Sequence, residues 1–107
     1  MPIQELYDDL IFNIGKNAQD NWYLIDHSVA GDIWIHLHNH PSGHVIIEKT
    51  KEITDEHILY GCELCKEHSK LKHKRGVKCS VLDRKYIKKG KAKGEVKLLE
   101  TPRIVKV

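Results

Sequence analysis

The stretch "DIWIHLHNHPSGHVIIEK", Asp32–Lys49, decides how the chain folds. Its first half alternates: Ile33, Ile35 and Leu37 fall on one side of an extended chain, Trp34, His36 and His38 on the other. Period-two alternation is the signature of a β-strand. "NHPSG" carries Pro41 and Gly43 and reads as a turn. "HVIIEK" is a second apolar run, so the two predict a hairpin. Four of the eight histidines, His36, His38, His40 and His44, also fall within this stretch. Histidine is the commonest metal ligand and the usual proton carrier near neutral pH.

Working outward, "IFNIGKN" (11–17) predicts a short strand stopped by Gly15, with residues 1–9 as an N-terminal lead-in. "NAQDNWYLIDHSVAG" (17–31) predicts a short helix with Asp20 or Asn21 as N-cap and Gly31 as stop. "TDEHILYGCELCKEHSKLKHKRG" (54–76) predicts one long helix capped by Thr50 or Thr54. Ile58, Cys62, Cys65 and Ser69 form its inner stripe, and Lys66, Lys70, Lys72, Lys74 and Arg75 crowd its C-terminal end. "VKCSVLDRKYIKK" (77–89) predicts a strand with a basic end, "GKAKG" (90–94) a flexible basic loop, and "EVKLLETPRIVKV" (95–107) two closing strands. The expected fold is a single α+β domain over residues 1–107, with a mainly antiparallel or mixed sheet, one long helix and one short one.

Composition bounds the function. A chain of 107 residues with 40% hydrophobic residues makes one modest core. It has no apolar run of about 18 residues to span a membrane, and no secretory-type N-terminus. Three cysteines, an odd number confined to one half of the chain, do not read as a disulfide framework, which predicts a reducing, cytoplasmic setting. Residues 1–65 hold 3 Lys/Arg against 11 Asp/Glu, a net of −8; residues 66–107 hold 15 against 4, a net of +11. Such a split predicts a polyanion partner for the basic half, against the plainer reading of a solvated lysine face.

Three metal or redox readings are available. "HNHPSG" resembles the His-x-His-Pro zinc motif of RadC-like metallohydrolases, in which His38 and His40 would be ligands. That motif wants a serine at position 48 and an aspartate at 51; this chain has Glu48 and Lys51, so the third ligand is missing. Cys62 and Cys65, with His68 or His73, could hold a structural zinc, although thiols on a helix's inner stripe are more often small core residues. A thioredoxin-type redox pair would sit at a helix N-terminus, and Cys62 lies about two turns in. "IGKN" lacks the first glycine and the hydroxyl of a phosphate-binding P-loop.

Three blocks in order resemble the NFACT-R domain. Gly15, Lys16, Asn17 and Asn21 match its Gly-Lys-Asn-x-x-x-Asn opening. Asp32, Ile33, Trp34 and His36 match its Asp-Ile-Trp-x-His strand, followed by Pro41, Ser42, Gly43, His44, Val45 and Ile46. Arg84, Lys85, Tyr86, Ile87, Lys88, Lys89, Gly90, Lys91 and Gly94 match its basic run and Lys/Gly loop. The likeness covers roughly residues 10–107. Cys79–Leu82 departs from it, since many relatives have Val-Asp-Tyr-Thr there. His38 and His40 lie outside the pattern.

The resemblance implies a non-enzymatic RNA-binding module without a cofactor. It would contact structured RNA such as tRNA or rRNA in translation or ribosome quality control, DNA not being excluded. Its expected RNA-binding residues are Trp34, His36, His44, Arg84, Lys85, Lys88, Lys89, Lys91 and Lys93, beside the Gly15–Lys16–Asn17 turn. On an open sheet face Trp34 and the imidazoles could stack on bases; the plainer alternative has Trp34 filling the space beneath a helix. The alternative functions are a zinc metallohydrolase through His38 and His40, and a protein-interaction adaptor using the acidic half.

Overall fold

A computed structural model describes residues 2–107. The elements run β1 (Ile3–Tyr7), β2 (Leu10–Ile14), α1 (Ala18–Asp26), β3 (Ile33–Leu37), β4 (Val45–Ile47), α2 (Asp55–Glu67), β5 (Lys78–Asp83), a 3-10 turn (Arg84–Tyr86), β6 (Ile87–Lys89), β7 (Val96–Leu98) and β8 (Arg103–Lys106). Six strands form one sheet in the order β1-β2-β4-β3-β5-β8, every pair antiparallel. A separate ribbon pairs β6 with β7.

The expected hairpin is present, with Ile33, Trp34 and Ile35 opposite Ile47, Ile46 and Val45. The alternation sorts the sheet into two cores. Ile35, Leu37, Val45, Ile47, Cys79 and Val81 pack with Ile58, Cys62, Leu64 and Cys65 of α2. Trp34, Ile46 and Leu82, one residue out of phase, pack with Leu24 and Ile25 of α1 and with Ile87. The first cluster holds fourteen buried residues and the second six, so α2 covers the main core and α1 a thin one.

Four expectations need correction. The N-terminal lead-in contains β1, an edge strand joined to β2 through Asp8 and Asp9, both at positive φ (49° and 62°). Aspartate tolerates that conformation, and the Asp8 carboxylate is held by His57 Nε2 at 2.7 Å and Lys51 Nζ at 3.5 Å. Asn17 caps α1 in place of Asp20 or Asn21: its Oδ1 accepts from the Asp20 N–H at 2.8 Å. The long helix has 13 residues and ends at Glu67. The lysine cluster after it cannot supply an apolar face, and residues 68–76 form turns in which Gly76 takes φ 67°. Finally, the predicted strand over 77–89 breaks at Arg84. There Asp83 Oδ1 caps the 3-10 turn through the Lys85 N–H at 2.9 Å, and the chain leaves the main sheet for the β6–β7 ribbon.

Candidate nucleic-acid interface

The opening blocks of the sequence meet in space. Gly15 N–H donates to the His44 carbonyl at 2.9 Å, and His44 N–H donates to Asn21 Oδ1 at 2.9 Å. A β-carbon on Gly43 would run into the Gly15 carbonyl, so this crossing tolerates no side chain. The knot fixes Lys16 at the head of α1 next to the turn that carries His40 and Ser42. Gly94, at φ 86°, brings the Lys/Gly loop against the same place: its β-carbon would lie 2.7 Å from that of Ala18.

The ribbon behind this loop is fastened to α1. Trp22 Nε1 donates to the Glu95 carbonyl at 3.0 Å, and Lys89 Nζ pairs with Asp26 at 2.6 Å while lying 5.0 Å from the Trp22 ring centre. Arg84 donates to the Ile25 carbonyl, Ser28 Oγ and the Ile87 carbonyl at 2.8–3.2 Å. Arg84 and Lys89 therefore tie the ribbon down, although both were expected to contact RNA. Lys85 lies over Tyr86 at 5.0 Å. Lys88 sits across from Lys97, a like-charge pair that an anion would relieve.

Two contiguous grooves collect the remaining cations. One, of about 650 Å³, is lined by Lys16, Lys70, Lys93, His36, His40 and His68, among others. The second, of about 510 Å³, shares His40 and Leu71 with it and adds His38, Lys74, Arg75 and Lys78. No aspartate or glutamate lines either groove. The turns at 68–76 that replace the end of the expected helix form one wall. Asp20, which accepts from the Lys16 N–H at 3.1 Å, belongs to the helix cap and lines neither groove. With the Asn17 cap it already serves the first turn of α1, so the positive charge of the trench comes from the lysines. Lys91 is exposed on the loop and lines neither groove.

Imidazoles line both grooves, His36, His40 and His68 the first and His38 and His40 the second, with His44 behind His36. His36 Nδ1–H donates to the Leu37 carbonyl at 2.7 Å, which leaves Nε2 as the acceptor of the neutral ring. Burial lowers the pKa of His36, against the opposing pull of that hydrogen bond. Burial, with the nearby His36, pushes His44 down to about 3. Both are therefore neutral at physiological pH and add no charge. His38 Nδ1 lies 2.9 Å from Ser80 Oγ.

Trp34 and His44 are each 2% exposed, so neither presents a ring on an open face. Trp34 fills the core under α1, the plainer of the two sequence readings. Its ring is nearly parallel to that of His36 (5°, 5.8 Å), and His44 meets both edge-on at 5.5 and 5.1 Å. Sequence reasoning missed Lys70, Lys74 and Arg75 as site residues, because a helix would have dispersed them, and Lys78, which starts β5 beside the turns.

The metal readings find no geometry: among the described residues no three His, Cys, Asp or Glu side chains come together to hold an ion. Cys62, Cys65 and Cys79 are buried free thiols. Hydrogen bonding with Cys79 and burial push the Cys62 and Cys65 thiols up, so they stay protonated. No described helix is long and apolar enough to cross a membrane.

No curated protein matches this chain. Among solved structures, the C-terminal part of the fibronectin/fibrinogen-binding protein from Streptococcus suis superposes with a TM-score of 0.90 at 27% identity. The alignment covers 99% of this chain and 44% of that one, so this chain spans less than half of that relative's length. The family model described as the NFACT protein RNA binding domain matches residues 5–101. The resemblance carried by the three sequence blocks thus holds along nearly the whole chain, which belongs to the NFACT RNA-binding domain family.

Proposed function

We propose that this domain is a non-enzymatic module that binds structured RNA, tRNA or rRNA, in a cytoplasmic translation or ribosome-quality-control setting. The observation that carries the reading is the trench: six cationic side chains (Lys16, Lys70, Lys74, Arg75, Lys78 and Lys93) line two joined grooves in which no carboxylate takes part. A merely solvated lysine face would interleave acids with its bases, as the small surface pocket lined by Glu63, Lys66, Glu67 and Lys72 does. A carboxylate-free trench instead tracks phosphates, with affinity that falls as salt releases from the nucleic acid less favourably. The neutral His36 leaves an acceptor suited to a hydroxyl donor, and the ribose 2′-OH is the group that separates RNA from DNA.

The adaptor reading draws less support. Acidic groups of the N-terminal half are engaged within the fold: Asp8 with His57 and Lys51, Asp55 with Arg103, Glu56 with Tyr7, and Glu5 with Tyr60.

Ultraviolet crosslinking of the purified protein to total tRNA and to rRNA fragments, with mass spectrometry of the crosslinked peptides, tests the proposal. Crosslinks are expected within residues 16–22, 36–43 and 68–78. Absence of crosslinks, or crosslinks of equal yield to duplex DNA of the same length, would count against it.

A further inference from the structure

Two buried polar atoms have no hydrogen-bond partner among the described residues: Trp34 Nε1 and His44 Nδ1. Both residues are 98% buried and both line the same cavity, of about 310 Å³, with His36, Ser80, Glu95 and Leu98. The cavity lies between the α1 side of the main sheet and the β6–β7 ribbon, and it meets the basic trench at His36 and Gly94. Buried indole and imidazole nitrogens are ordinarily paired, and leaving them unpaired is costly. A single water takes up about 30 Å³, so this space exceeds what one bridging water needs. It falls instead at the small end of ligand pockets, about 300–1,000 Å³.

We propose that the cavity receives one unpaired nucleobase of the bound RNA, whose phosphate stays in the trench beside Lys16 and Lys93. This inference rests on the RNA-binding reading. The chemistry of the wall selects the ligand. Trp34 Nε1–H only donates, so the guest must present an acceptor, and every base carries a carbonyl oxygen or a ring nitrogen. His44 Nδ1 donates or accepts according to its tautomer, which makes the pocket tolerant of base identity. His36, which is half-buried, supplies flat aromatic surface for the ring, backed by the buried Trp34 lying parallel within 5°. Leu98 is apolar, and Ser80 is already hydrogen-bonded to His38. RNA sequence recognition favours such splayed-out, unpaired bases.

The test follows the two indole N–H signals by NMR in ¹⁵N-labelled protein, as a short single-stranded RNA or its abasic counterpart (the same ribose-phosphate chain without bases) is added. Trp22 Nε1 is already bonded to the Glu95 carbonyl and serves as the internal reference. The base-bearing RNA is expected to shift the Trp34 indole signal downfield and slow its exchange with water. The abasic chain should perturb the amides around Lys16 and Lys93 but leave the Trp34 signal in place. Trp34→Phe keeps a ring and removes the N–H. It should weaken the base-bearing RNA roughly threefold to tenfold and leave the abasic chain's affinity unchanged. Saturable binding with the Trp34 signal unmoved would overturn the base pocket while the trench stands, the two nitrogens then being served by ordered water alone. Failure of both chains to bind would overturn the RNA reading and this inference together.

Discussion

The two faces of one sheet are built from alternate residues of the same strands and are put to different uses. Under α2, Ile35, Leu37, Val45 and Ile47 meet Ile58, Cys62 and Cys65 in a mainly apolar core. Under α1 and the ribbon, the neighbouring positions are Trp34, His36, His44 and Ser80, with two nitrogens left unpaired and a cavity beside them. The strand period makes this division possible: one residue's offset along β3 moves a side chain from a dense core to the wall of a cavity. The α2 face carries the denser core, and under the proposed base pocket the α1 face gives up some stability for recognition.

That division is open to measurement. Leu37→Ala, in the α2 core at 1% exposure, should lower unfolding free energy by about 2–5 kcal/mol. Ser80→Ala on the other face should cost about 1 kcal/mol or less, because it removes one partly exposed contact to His38. Comparable losses in urea unfolding would erase the distinction.

Acid should reveal the α1 face next. Burial disfavours the charge of folded His44 and pushes its pKa down to about 3, against about 6.5 when unfolded. Above pH 6.5 both states are neutral and stability is unaffected. Below it the unfolded chain binds a proton that the folded chain refuses. Stability then drops by up to about 1.4 kcal/mol per pH unit until the pH nears 3, and His36, lowered in the same direction, adds to the fall. Urea midpoints independent of pH between 7 and 4.5 would show that these imidazoles are not desolvated.

Smaller still is the expected effect of the thiols. Cys62→Ala with Cys65→Ala should cost about 1–2 kcal/mol and change neither metal content nor RNA affinity. Unfolding on addition of a chelator would contradict their place as core residues.

Much of this architecture was legible from residues 32–49, because a strict alternation in a short run admits few other readings. The family blocks singled out Gly15, Asn21 and Gly43 separately, and the fold brings the three together. Three features were hidden. β1 carries Glu5 on its inward side, satisfied by the Tyr60 hydroxyl at 3.1 Å, so its alternation looked broken. The end of α2 was extended too far because lysines are good helix formers, whereas residues 68–76 have little apolar surface to pack. Among the basic residues, charge alone could not separate the tethers from the trench. Arg84 and Lys89 are consumed by α1, while Lys70, Lys74 and Arg75 reach the trench only through the turns that replaced the helix, beside Lys78 at the start of β5.

The salt dependence of RNA binding tests the central claim most directly, in wild type and in two triple variants compared by fluorescence anisotropy with a tRNA. Lys16→Gln with Lys70→Gln and Lys93→Gln empties the trench of three cations; Lys66→Gln with Lys72→Gln and Lys106→Gln removes as many charges elsewhere. If phosphates follow the trench, the first variant flattens the log–log slope of affinity against salt by roughly two units, at about 0.7–0.9 per lost contact, and the second leaves it near wild type. Equal slopes in all three proteins, with both variants folded, would contradict the trench as the RNA-binding surface.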